Sequence, residues 1–226
     1  MPAQYSIPDY NTETKTMNSK AYCRSIIIAG YEGGIELIDS ALTSDNPRAR
    51  ALALTAAHRL SILTINSLID AISDPDANVR RTAFELCPRL VNPSNRMELT
   101  DAVLDCLNND DDAEIAAFSL GELGSDSLEG LTQINIDRLA TALSTQATEN
   151  SEALNREAAV AALGSLGLGV DAVLSATKDI ATVRRRAIVA LAAFEGDDVV
   201  AALVAATEDR DWQVRTAAED LLDDDY

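Results

Sequence analysis

Long apolar runs are missing from this sequence. The longest nearly uninterrupted ones, such as residues 25–29, fall far short of the roughly 20 residues a bilayer crossing needs, so no membrane span is expected. Histidine occurs once, as His58, so a Ser–His–Asp arrangement has a single candidate base, and no nucleophile-elbow motif accompanies it. The three cysteines, Cys23, Cys87 and Cys106, are odd in number, widely spaced and set in apolar helical runs. That spacing fits neither a disulfide frame nor a zinc cage, and small buried hydrophobes are expected instead. A glycine-rich phosphate loop is also lacking, because the glycine-bearing segment 30–34 has no lysine and simply separates two helices. No metal and no cofactor are expected. Strand signals are essentially absent.

Lysine is scarce as well. Only Lys15, Lys20 and Lys178 occur, so 15 of the 18 basic residues are arginine. Against them stand 37 acidic residues, Asp outnumbering Glu, for a formal charge of −19. Phosphate affinity rests on cationic side chains, so non-specific nucleic-acid binding is disfavoured. Abundant Ala, short carboxylates and arginine in place of lysine are the composition of extreme halophiles, where carboxylates hold water and cations and multimolar salt screens self-repulsion. An ordinary acidic bacterial protein is the alternative. With 226 residues, 47% of them apolar, the chain is long enough to bury a sizeable core. Residues 1–16 are polar, hold two early prolines and lack a secretory layout, and read as a flexible leader on a cytoplasmic protein.

The remainder, 17–226, is repetitive. A hydrophobe, then Arg, then Ala three residues later occurs at Val79-Arg80 with Ala83, Val183-Arg184 with Ala187 and Val214-Arg215 with Ala218. Weaker copies are Ala49-Arg50 with Ala53 and Asn155-Arg156 with Ala159, and a degenerate one is Asp112-Ala113 with Ala116. The reference positions are spaced by 30, 33, 43, 28 and 31 residues. Within each copy the apolar positions fall three, six or seven, and ten residues after the reference, which is one face of a helix. Second helices are therefore expected near 48–60, 78–91, 112–124, 154–167, 182–195 and 213–222. Shorter first helices are expected over 35–42, 65–72, 99–107, 136–143, 170–176 and 199–206. The turns between them, such as Ser73-Asp74-Pro75-Asp76 and Glu208-Asp209-Arg210-Asp211, supply capping aspartates. Residues 17–30 read as one more second helix closing the N-terminal side, and Asp223-Asp224-Asp225 as a wet C-terminus. The long interval holds an insertion over 125–153, with the polar stretch 144–151 read as part of an inserted loop. Such a loop is either functional or tolerated slack.

The pattern Asp-x-Asp-x-x-Val-Arg, followed by x-x-Ala-Ala-x-Ala-Leu-Gly-x-Leu-Gly, resembles HEAT-like repeats of the phycobilisome-lyase type. Arg156 to Gly167 carry its second half and Asp74 to Leu90 its first, and the resemblance extends over 35–222. It implies an all-α, right-handed α-solenoid of about six helix-turn-helix repeats, with second helices lining a partner-binding concave face. It also implies that Arg50, Arg80, Arg156, Arg184 and Arg215 bond to turn carbonyls and to turn aspartates such as Asp74, Asp76, Asp209 and Asp211, holding the stack in register. The paired aspartates recur at turn spacing with no EF-hand glycine, so capping accounts for them better than calcium does. The repeated His-Glu pairs of HEAT-type hydroxylases cannot be built from one histidine.

Positions one, five, eight and nine residues after each reference lie opposite the buried stripe. They give an arginine-bearing face whose candidate partner-binding residues are Arg59, Arg81, Glu85, Arg89, Phe118 and Arg185. Arginine and aromatics are enriched in binding hot spots. A solvated helix face with Phe118 turned inward is the other reading, and Trp212 is expected to pack over the neighbouring repeat. The functional expectation is a non-catalytic scaffold or adaptor in a signalling or motility complex, binding an acidic segment of another protein and no nucleic acid. A bilin-lyase-like enzyme or enzyme subunit, suggested by the shared repeat, is the alternative.

Overall fold

The computed structural model describes residues 19–223. The leader at 1–16 and the acidic residues 224 and 225 lie outside them. Among the described residues all regular structure is helical, comprising thirteen α-helices and one short 3-10 turn. The chain divides into two compact units, one ending at residue 67 and the other beginning at residue 68.

The first unit contains α1 (Ser19–Glu32), α2 (Ile35–Leu42) and α3 (Pro47–Arg59), while α4 (Ile65–Ile72) lies across the boundary. Its core is built from Ile26, Ile38, Ala49 and Ala53, all with no exposed surface. Helix α3 starts where Asn46 accepts a 3.1 Å bond from the Arg48 backbone and Pro47 takes the first turn, where no N–H is needed. Small residues bring α1 close to α3: a Cβ on Gly30 would lie 2.9 Å from that of Ala56.

The second unit holds α5 (Ala77–Leu90), α6 (Arg96–Leu104), α7 (Ala113–Gly124), α8 (Gln133–Glu149), α9 (Ala153–Leu166), α10 (Val170–Ala176), α11 (Ala181–Ala190), α12 (Asp197–Ala206) and α13 (Trp212–Asp223). Helices α5, α7, α9, α11 and α13 stack in chain order, and α6, α8, α10 and α12 each pack against the helix that follows. This is an α-solenoid. The repeated alanine three residues after each reference position is why the stack closes, since Ala83, Ala116, Ala159, Ala187 and Ala218 are all without exposed surface. A larger side chain there would separate successive helices.

The stretch 125–153 differs from the inserted loop expected of it. Helix α8 runs 17 residues, beginning in a capping box between Thr132 and Asn135. The polar residues 144–149 belong to this helix because Leu139, Leu143 and Ala147 recur at helical spacing and are buried, leaving Thr145 and Thr148 on a wet face. Apart from the short turn at 150–152, the irregular part is 125–132. There the buried Arg96 at the start of α6 donates to the carbonyls of Ser127 and Glu129.

Candidate functional site

Two arrangements recur along the second helices, and only one of them faces solvent. The inward one is a ladder of guanidinium groups. Arg80 donates through Nη1 to the Asp74 carbonyl at 3.0 Å and grips both carboxylate oxygens of Asp112, before α7, at 2.7 and 3.2 Å. Arg156 does the same with the Asn150 carbonyl at 2.9 Å and with Asp179 at 2.6 and 2.8 Å. Arg184 reaches the Asp179 carbonyl at 2.8 Å and Asp209 at 2.8 and 2.7 Å. Arg215 donates to the Asp209 carbonyl at 2.7 Å, and Arg50 in the first unit to the Ser44 carbonyl at 2.7 Å. One arm closes the copy's own turn, and the planar fork takes the next copy's carboxylate.

Asp74, Asp76, Asp209 and Asp211 sit in those turns. Asp76 caps α5 by accepting from Asn78 N at 2.9 Å, and Asp211 caps α13 by accepting from Gln213 N at 2.9 Å. Asp74 and Asp209 accept from the backbone two residues on, at 2.8 and 2.7 Å. Hydrogen bonds from Arg156 and Arg184 hold the carboxyls of Asp179 and Asp209 below the usual carboxylate range, and Arg80, Arg156 and Arg184 are raised by their bonds to Asp112, Asp179 and Asp209. Asp112 and Asp179 are rungs that the repeat pattern does not reveal, because they stand one residue before and five residues before their reference positions rather than six. At Ala113, where the arginine is replaced, Asn150 and Asn155 reach across to Asp110, each at 3.3 Å.

The solvent-facing arrangement is a groove of about 560 Å³ running over α5, α7, α9 and α11. Arg81 and Glu85 contribute from α5, Phe118 from the centre of α7, Leu154 and Glu157 from α9, and Arg186 from α11. Phe118 is 52% and Leu154 57% exposed, so two large apolar side chains stand open among charges. Each arginine is joined to a glutamate by one loose contact, Arg81 to Glu85 at 3.4 Å and Arg186 to Glu157 at 3.3 Å. With Glu114 and Glu122 of α7, the lining holds four carboxylates against two guanidinium groups.

Of the six residues expected to form one partner face, the groove gathers three. Arg81, Glu85 and Phe118 line the groove. Arg89 is exposed on α5 but is not part of the lining. Arg185 turns toward α13, donating to Gln213 Oε1 at 3.3 Å, and Arg59 belongs to the first unit, where it stacks 4.1 Å above the Tyr31 ring. Within the groove itself carboxylates outnumber arginines. Successive residues are rotated by about 100° around a helix, so Leu154 and Arg186 reach the groove from two residues before and two after their reference positions, whereas Glu157 holds an offset already read as outward. Phe118 faces solvent, not inward. Trp212, expected to pack over the neighbouring repeat, is 63% exposed at the first residue of α13.

Cys23 and Cys87 are buried, and burial pushes the Cys87 thiol up to about 12, which leaves it unreactive at neutral pH. Cys106 lies just beyond α6 and is half-buried. Among the described residues no cluster of three or more His, Cys, Asp or Glu is disposed to hold a metal ion, and no helix is long and apolar enough to cross a membrane.

Residues 183–209 match the family model described as the PBS lyase HEAT-like repeat. These residues include Arg184 and Asp209, one complete rung of the ladder. No curated protein matches the chain in sequence. Among solved structures, the X-ray structure of Escherichia coli YibA superposes with a TM-score of 0.61 at 14% identity, over 98% of this chain and 77% of that one. Human deoxyhypusine hydroxylase in complex with glycerol is matched at a TM-score of 0.39 and 18% identity, over 92% of this chain and 91% of that one. The YibA likeness is one of fold. The chain carries a HEAT-like repeat within a helical solenoid.

Proposed function

We propose that this chain is a non-catalytic interaction scaffold that binds a segment of another protein in the groove over α5, α7, α9 and α11. The observation that carries the reading is the exposure of Phe118 and Leu154 in one cleft. Covering a large apolar side chain is worth about 1.5–3 kcal/mol, and a folded chain has little reason to leave two of them open side by side in a concavity unless a partner covers them. The stack supports the same reading, because arginine rungs join α5 to α7 and α9 to α11, and the Asn150 and Asn155 bonds to Asp110 bridge the step between, so the spacing of what the groove presents is set. We place the scaffold in a cytoplasm of high salt, which the −19 charge and the arginine bias favour, and within a signalling or motility complex.

The test is affinity capture from native lysate at high salt, comparing the wild-type chain with the Phe118→Ala/Leu154→Ala variant after circular dichroism has shown equal helix content. A discrete protein retained by the wild type and lost by the variant is the expected result. Equal recovery by both would remove the groove from the account.

A further inference from the structure

We propose, resting on the groove as the partner site, that its occupant is a cationic segment of another protein, in which an apolar residue is flanked on both sides by arginine or lysine. Glu114, Phe118 and Glu122 are four residues apart on α7 and so form a single stripe down one face, separated by about 6 Å per step. Neither Glu114 nor Glu122 has a cation within ion-pair distance among the described residues. The stripe thus reads carboxylate, aromatic, carboxylate, with the apolar centre widened by Leu154 from α9.

On either side the other two carboxylates, Glu85 and Glu157, are held only by single long contacts to the partly exposed Arg81 and Arg186. The Arg81–Glu85 pair is open to solvent, and an exposed pair of that kind contributes little and exchanges readily for a better-placed cation, while Glu157 is the more enclosed of the two carboxylates. Alternate residues of an extended segment stand about 7 Å apart, close to the step of the stripe. A cation, spacer, apolar residue, spacer, cation sequence therefore sets its centre on Phe118 and its charges on Glu114 and Glu122. An acidic segment would meet four carboxylates, and nucleic acid or a second copy of this chain at −19 would bring the same repulsion.

The experiment is selection from a random-peptide display library on the full-length chain, with counter-selection on the Glu114→Gln/Phe118→Ala/Glu122→Gln variant. Counter-selection removes peptides drawn only by the overall charge. Recovered peptides are expected to carry an apolar residue between two Arg or Lys. Their affinity is expected to fall about tenfold for Glu114→Gln/Glu122→Gln, and by far less for Glu219→Gln/Asp220→Asn, which removes the same charge on the exposed part of α13. Groove-dependent peptides that are acidic or uncharged at those positions would overturn the cationic occupant while leaving the groove as a binding site. No groove-dependent peptide at all would overturn both.

Discussion

The Ser119 hydroxyl of α7 donates a buried 3.0 Å hydrogen bond to the Phe84 carbonyl of α5. Phe84 is four residues before Pro88, which lies inside α5 and has no N–H, so that carbonyl cannot receive its usual intrahelical bond. The next second helix supplies the missing donor.

Ser119→Ala is accordingly expected to destabilise the fold by about 1–3 kcal/mol, the cost of an unpaired buried carbonyl. Pro88→Ala restores the backbone donor, so Pro88→Ala/Ser119→Ala should lose less than Ser119→Ala alone. Urea unfolding of the three variants measures the coupling. Strictly additive effects would mean that Ser119 does not stand in for the lost N–H.

Gly164→Ala is expected to destabilise despite the better helix propensity of alanine, about 1 kcal/mol in its favour. A Cβ there would lie 2.7 Å from the Ala190 Cβ and 2.9 Å from its Cα, so α9 and α11 would have to separate. Overpacking of this kind costs about 1–3 kcal/mol. A raised thermal midpoint would show that the two helices have slack.

The ladder has a pH signature. Asp209 is held below the usual carboxylate range in the folded state by its bonds from Arg184. The stability it contributes is present above the unfolded carboxylate pKa, about 3.9, and is lost as pH falls through the depressed folded value. Asp209→Asn is expected to cost about 3 kcal/mol at neutral pH, as for a pair removed from a largely buried site. The gap from wild type should close below the folded pKa. A gap that stays constant with pH would contradict the assignment.

At low salt the −19 chain repels itself. Helix content followed by circular dichroism should therefore fall as salt drops from multimolar to about 0.1 M, where the Debye length has grown to about 10 Å. An unchanged spectrum would remove the high-salt reading.

The helical pairing is legible in the sequence because it rests on local periodicity. The segments 35–42, 65–72 and 170–176, read from apolar spacing, coincide with α2, α4 and α10. Residues 144–149 were obscured by their polarity, which reflects one wet face of α8 and not a loop. Asp112 and Asp179 were hidden because their turns differ in length, so a carboxylate reaches its arginine from a shifted position. The groove was the least legible part, since it depends on how neighbouring helices are rotated. Phe118 and Arg81 belong to it, whereas Arg89 and Arg185 at equivalent outward offsets do not.

The most direct test of the scaffold account is site-specific photo-crosslinking in native lysate at high salt, with a benzophenone amino acid at position 118 of the full chain and, as control, at the exposed position 204 on α12. The expected result is one discrete protein adduct formed from position 118 and suppressed by Leu154→Ala, with none from position 204. Adducts from position 204 alone, or the same smear from both, would contradict the groove as the site where this chain meets its partner.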